Sequence, residues 1–212
     1  NEDPRGAGKF DAYKKIEIKG AWEFLNIPGS INLTPVNVGI IDTGIDSSHP
    51  EFLGVKLGNT PVDVRQDRII VVGTTTVMHG TNVAGIIGAN NISAASSANY
   101  QFPHMNGILS GVKNLDYTLE VRRKPSVFPV FSILSKISSL KESGSKIINF
   151  SSSVTFNSLA GATLFFKFKF NPDILFVVAA GNDGFDAIFV AAAIFGDCLG
   201  NVISVGLVVF VD

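Results

Sequence analysis

The sequence predicts an α/β protein: a mostly parallel sheet with helices on both faces. Two observations carry this. Short, continuous apolar runs rich in β-branched residues recur along the chain, which suits strands covered on both faces. Helical patterns lie between them, and alternation of that kind builds parallel sheets. With 212 residues the chain is long enough for one sizeable domain, expected over 1–212 with residues 1–30 as an approach segment.

The elements follow in order. Lys14–Leu25 is expected as an approach helix anchored by Trp22, the only tryptophan. Val36–Ile41 is the first buried strand, and Arg68–Val72 reads the same way. A helix opens near His79 and stops around Ala89, before Asn90-Asn91. The polar stretch Asn90–Asn106 is a surface loop. Tyr117–Val121 is a strand, and Val130–Glu142 is a helix with Ile133, Leu134, Ile137 and Leu140 at helical spacing, ended by Ser143-Gly144. Ile147–Phe150, a helix over Ser158–Phe168, Ile174–Ala179 and Val202–Val205 complete the series. Ligand sites in such sheets lie at the carboxyl ends of the strands. Asp42, Ser151–Ser153 and Gly181-Asn182 all follow strand ends and are expected to converge on one crevice.

Composition narrows the function. Hydrophobic residues make up 46% and charged residues 17%, which argues for a packed core. Seventeen Phe imply much aromatic burial. The formal net charge of −1 and the lack of a basic block argue against nucleic acid or an anionic membrane as partner. Arg122-Arg123-Lys124 reads as a solvated strand end. No apolar stretch reaches membrane-spanning length. The single Cys198 forbids an internal disulfide and reads as a small buried hydrophobe. No leader pattern opens the sequence. Asn32-Leu33-Thr34 and Asn91-Ile92-Ser93 fit the glycosylation acceptor pattern, which is common by chance.

Asp42 and His79 carry the chemistry. A strand-end Asp before Thr43-Gly44 is often only a turn-former, and a His at a helix start is often only a satisfied core or cap residue. As a pair they do more: a buried carboxylate orients an imidazole through one ring nitrogen and leaves the other as general base. Asn182, between Gly181 and Gly184, reads alone as a turn residue. A nucleotide-binding reading is weak, since Gly39, Gly44 and Gly54 are wrongly spaced for a dinucleotide fingerprint.

The motifs in order resemble those of the subtilisin-like serine proteases, the subtilase family (peptidase family S8). Val36–Phe52 is similar to the family's aspartate motif, and His79–Gly85 to its histidine motif. Ile147–Ser153 is similar to its substrate-lining strand, Val177–Gly184 to the oxyanion segment, and Asn201–Gly206 to the strand that follows. The resemblance implies a three-layer subtilisin-like fold and a serine endopeptidase acting on polypeptides. Asp42 would orient the ring, His79 would be the general base and Asn182 the oxyanion donor. Ser151, Ser152 and Ser153 would pair with an extended substrate as an added strand.

The family's serine sits in Gly-Thr-Ser and follows the other two members in chain order. No serine here follows Gly-Thr; Gly80-Thr81 leads into Asn82. The C-terminal part of the fold is therefore expected to be missing, and the serine to lie on a further segment or a second chain. The alternative is an inactive pseudoprotease that binds peptides. Asn82 stands where many members have a second histidine, and Ser152-Ser153 where Leu-Gly is usual. Glu51 falls at a family calcium-ligand position, but nothing else completes an oxygen cage, so no metal or other cofactor is assigned. Secretion is favoured over the cytoplasm.

Overall fold

A computed structural model describes residues 13–14, 16–29, 31–72, 75–90, 106–124, 130–151, 158–181, 195–196 and 198–206. A six-stranded parallel sheet forms its centre. Helix α1 (Ile18–Leu25) precedes β1 (Val36–Asp42) and the short β2 (Lys56–Leu57). The hairpin strands β3 (Ile69–Val72) and β4 (Thr75–Met78) lead into α2 (His79–Gly88). There follow β5 (Tyr117–Arg123), α3 (Val130–Glu142), β6 (Ile147–Phe150), α4 (Ser158–Lys169), β7 (Leu175–Ala179) and β8 (Val202–Val205). The sheet order is β2-β5-β1-β6-β7-β8, all parallel, so β1 lies between β5 and β6.

Alternation along β1 assigns its side chains to two cores. Val38 and Ile40 pack with Ile45, Phe52, Val64, Leu119, Val121 and Ala84 of α2. Ile41 belongs to the opposite core, with Ile133, Ile137 and Leu140 of α3, Leu164 and Phe168 of α4, and Phe176 and Val178 of β7. Asp42 shares the parity of Val38 and Ile40 and so turns toward α2. The expected helix–sheet–helix layering follows from these two cores.

The approach helix is present but shorter than its expected span. Its Trp22 is anchored as expected: Nε1 donates to the Ile108 carbonyl at 2.8 Å. Asn26 fastens the end of the helix by donating to the Gly111 carbonyl at 2.9 Å and accepting from Lys113 N–H at 2.6 Å.

Three expectations are corrected. The run ending at Val72 joins no parallel sheet; β3 pairs antiparallel with β4 in a separate two-stranded ribbon, and Ile69 is exposed. Only residues 73–74 separate the two strands, whereas a parallel return needs a dozen residues or more. Arg122 is not a solvated strand end: it is 5% exposed and paired with Glu120 across 3.3 Å. Cys198 is exposed, since it falls in the turn before β8 rather than in an element with a buried face. Most of the expected loop over Asn90–Asn106 lies outside the described residues. No helix among the described residues is long and apolar enough to cross a membrane.

Candidate active site

Parallel strands end on one rim, and β1 delivers Asp42 there, fully buried. A buried carboxylate needs donors to offset lost hydration, about several kcal/mol for an unpaired ion. Asp42 Oδ1 accepts from Thr43 N–H at 2.7 Å and lies 2.8 Å from His79 Nδ1. A carboxylate only accepts, so Nδ1 carries the hydrogen and Nε2 is the ring nitrogen left for other work.

His79 is the first residue of α2, and two glycines make its position possible. The second residue of the helix, Gly80, lies directly against the turn after β1. A Cβ on it would stand 2.1 Å from the Gly44 carbonyl oxygen. Gly44 itself has φ +133°, a conformation side chains rarely adopt, and is walled in by the carbonyls of Val64 and Gln66. The small residues thus bring the helix start within reach of the strand end.

The His79 side chain is 38% exposed while Asp42 is at 0%. The imidazole pKa is raised, first by the hydrogen bond to Asp42; burial opposes this, the Asp42 and Asp67 charges add to it and Lys124 subtracts. The Asp42 carboxylate outweighs desolvation here. A protonated ring is therefore held better than it would be in water, as a base that must carry a proton requires.

Sequence reasoning missed the groups around this pair. Asp67 reaches both motifs: Oδ1 accepts from the Thr43 hydroxyl at 2.6 Å, and Oδ2 accepts from the Thr81 amide at 2.8 Å and the Thr81 hydroxyl at 2.6 Å. Gly80 N–H donates to Thr43 Oγ1 at 2.9 Å, and Asp46 N–H to Thr81 Oγ1 at 2.9 Å. Arg123, opposite Asp42 in the strand register, donates from Nε to the Thr43 carbonyl at 3.0 Å. Its Nη2 donates to the carbonyls of Asp63 and Gln66. Only the threonines, already inside the two motifs, hinted at this network.

Of the other expected residues, Ser151 follows the end of β6, where its hydroxyl accepts from Asn149 Nδ2 at 2.8 Å. The register Ile40↔Asn149, extended by two residues, sets Ser151 level with Asp42. Ser152, Ser153 and Asn182 lie outside the described residues; Gly181, just before Asn182, has φ +96°. The Glu51 carbonyl accepts from Asn90 N–H at 2.7 Å, and among the described residues no three His, Cys, Asp or Glu gather to hold a metal ion.

A doubly covered parallel sheet with a carboxylate–imidazole pair at its carboxyl rim defines a class of α/β proteins with an acid–base site. The sequence pattern of the Subtilase family matches residues 34–209, and the chain belongs to that family. The fold is similar to that of the prenylagaramide maturation protease PagA, with TM-score 0.52 and 20% identity over 79% of this chain and 52% of that one. It is likewise similar to a mutant of the protease domain of PatA, with TM-score 0.50 and 22% identity over 80% of this chain and 56% of that one. The chain spans about half the length of these structures.

Proposed function

We propose that these residues form the acid–base half of a subtilisin-type serine endopeptidase. The observation that carries the reading is the 2.8 Å contact between fully buried Asp42 and His79 Nδ1, at the rim of the sheet. Asp42 fixes the ring and its tautomer. His79 Nε2 takes the proton of a serine hydroxyl as that oxygen attacks a peptide carbonyl, then returns it to the leaving amine; positioned proton transfer of this kind contributes about 10²–10⁴-fold. Asn182 donates its amide to the oxyanion. Residues Ser151–Ser153 offer main-chain groups to an extended polypeptide. Family membership and the raised His79 pKa support this reading.

No serine of the sequence follows Gly-Thr, so the nucleophile comes from outside these 212 residues. The test is a serine-directed covalent probe on the full-length gene product, beside a peptide-cleavage assay. Labelling that His79→Gln abolishes, together with cleavage, is expected. A product that binds peptides and is neither labelled nor able to cleave them would be the peptide-binding pseudoprotease instead.

A further inference from the structure

We propose that Asp67 is a positioning residue for His79, held in place by Arg123. This rests on His79 being the general base. The argument starts from the helix terminus. The first amides of α2 lack intrahelical partners, and Met78, before the helix, supplies no side-chain cap. Asp67 supplies it from another part of the chain, taking the Thr81 amide and hydroxyl on one oxygen. Its other oxygen takes the Thr43 hydroxyl, whose oxygen in turn accepts the Gly80 amide. One carboxylate therefore bonds to the residue after the acid and to the second residue after the base. It ties the two motifs together independently of the Asp42–His79 bond.

Asp67 has no regular element of its own to hold it. Arg123 does this from the end of β5. Its guanidinium binds the carbonyls of Asp63 and Gln66 and that of Thr43, and lies 3.8 Å from the Asp63 carboxylate. Arginine suits the task because its planar fork binds several acceptors at once; lysine would hold one point. The rigid sheet thus transmits its position through Arg123 to the segment 63–67, which leaves a short 3-10 turn (Val62–Arg65), and through Asp67 to the start of α2. The charged groups around His79 are Asp42 from β1, Asp67 from this segment and Lys124 from the end of β5; the two acids favour the imidazolium and the lysine opposes it.

The experiment uses the full-length protein and two variants, Asp67→Asn and Thr81→Val. The His79 ring resonance, identified by its loss in His79→Gln, is titrated by NMR, and kcat and KM are measured across pH. Asp67→Asn is expected to shift the His79 titration and the acidic limb of kcat to lower pH. It should cut kcat by on the order of ten- to a hundred-fold, the scale of a small displacement of a catalytic group, with KM little changed. Thr81→Val keeps the charge and is expected to lower kcat with a smaller shift. A folded Asp67→Asn with unchanged titration and kcat overturns the proposal. Should Asp67→Asn fail to fold, Thr81→Val decides: an unchanged kcat overturns it and a reduced one supports it. A wild-type protein without peptidase activity refutes the protease reading. The NMR titration then decides the positioning role alone, a downward shift supporting it and no shift overturning it.

Discussion

Gly80 and Gly44 touch backbone to backbone: a methyl group added to Gly80 would overlap the Gly44 carbonyl oxygen at 2.1 Å. The obstacle is main chain and cannot rotate away. Gly80→Ala must lift the start of α2 from the turn after β1, lengthening the Asp42–His79 contact. The expected cost is about 1–3 kcal/mol of stability, with kcat reduced on the order of a hundred-fold in the full-length enzyme. A denaturant melt and steady-state kinetics check this.

Asp42→Asn keeps the shape of the acid and removes its charge. The ring then loses the partner that selects its tautomer and stabilises its protonated form. A fall in kcat of about 10⁴-fold is expected, with peptide affinity nearly intact. Kinetics paired with an inhibitor-binding measurement separate the two effects.

The same pair makes stability depend on pH. The folded-state pKa of His79 is raised above its ordinary value, chiefly by the hydrogen bond to Asp42. Folding therefore binds the imidazole proton more tightly. That stabilisation is fully present below the unfolded imidazole value of about 6.5 and fades as pH rises through the higher folded value. His79→Gln keeps a neutral donor and loses the charge. The stability gap between wild type and His79→Gln is expected to be larger near about pH 5 than near about pH 8.5. Parallel melts at both values measure it.

Glu120 and Arg122 form a buried pair on the α3 side of β5, with side chains 2% and 6% exposed. Glu120 also accepts the Asn59 amide at 3.0 Å, and Arg122 donates to the Ser139 hydroxyl of α3 at 2.9 Å. Glu120→Ala leaves a buried guanidinium without its counter-charge and is expected to cost about 3–5 kcal/mol. Replacing both by apolar residues, as in Glu120→Leu with Arg122→Met, should recover most of that. Equilibrium denaturation of the three proteins tests the coupling.

β8 is the last strand of the described sheet, and its Ile203 and Val205 are each about half exposed. Apolar edges of this kind pair with other chains. A polypeptide of residues 1–212 alone is expected to self-associate in sedimentation experiments; a sharp monomeric melt would contradict this.

The legible parts of this protein are those whose signal is local. Val130–Glu142 forms a helix over the expected span because its apolar spacing and the Ser143-Gly144 stop lie within one stretch. Ile147–Phe150 and Val202–Val205 are likewise strands as expected. Asp42 and His79 are legible because each sits in a contiguous motif. Their supports are not. Asp67 meets Thr43 across 24 positions and Arg123 meets it across 80, and no periodicity marks either residue. The basic run Arg122-Arg123-Lys124 reads as a solvated strand end, yet a parallel sheet covered on both sides makes Arg122 half of an interior pair with Glu120. The antiparallel ribbon was hidden for another reason: four apolar residues cannot say which neighbour they pair with.

The place of β1 between β5 and β6 sets an order of assembly. Synthesis runs from the N-terminus, and β1 is complete at residue 42. The strands that flank it begin only at Tyr117 and Ile147. A nascent chain that has already released both Asp42 and His79 from the ribosome still has no sheet to seat them in, because crossover connections must close before parallel strands can pair. The acid is made early and buried late: the Asp42–His79 pair has no strand rim to sit on until the middle of the chain has emerged.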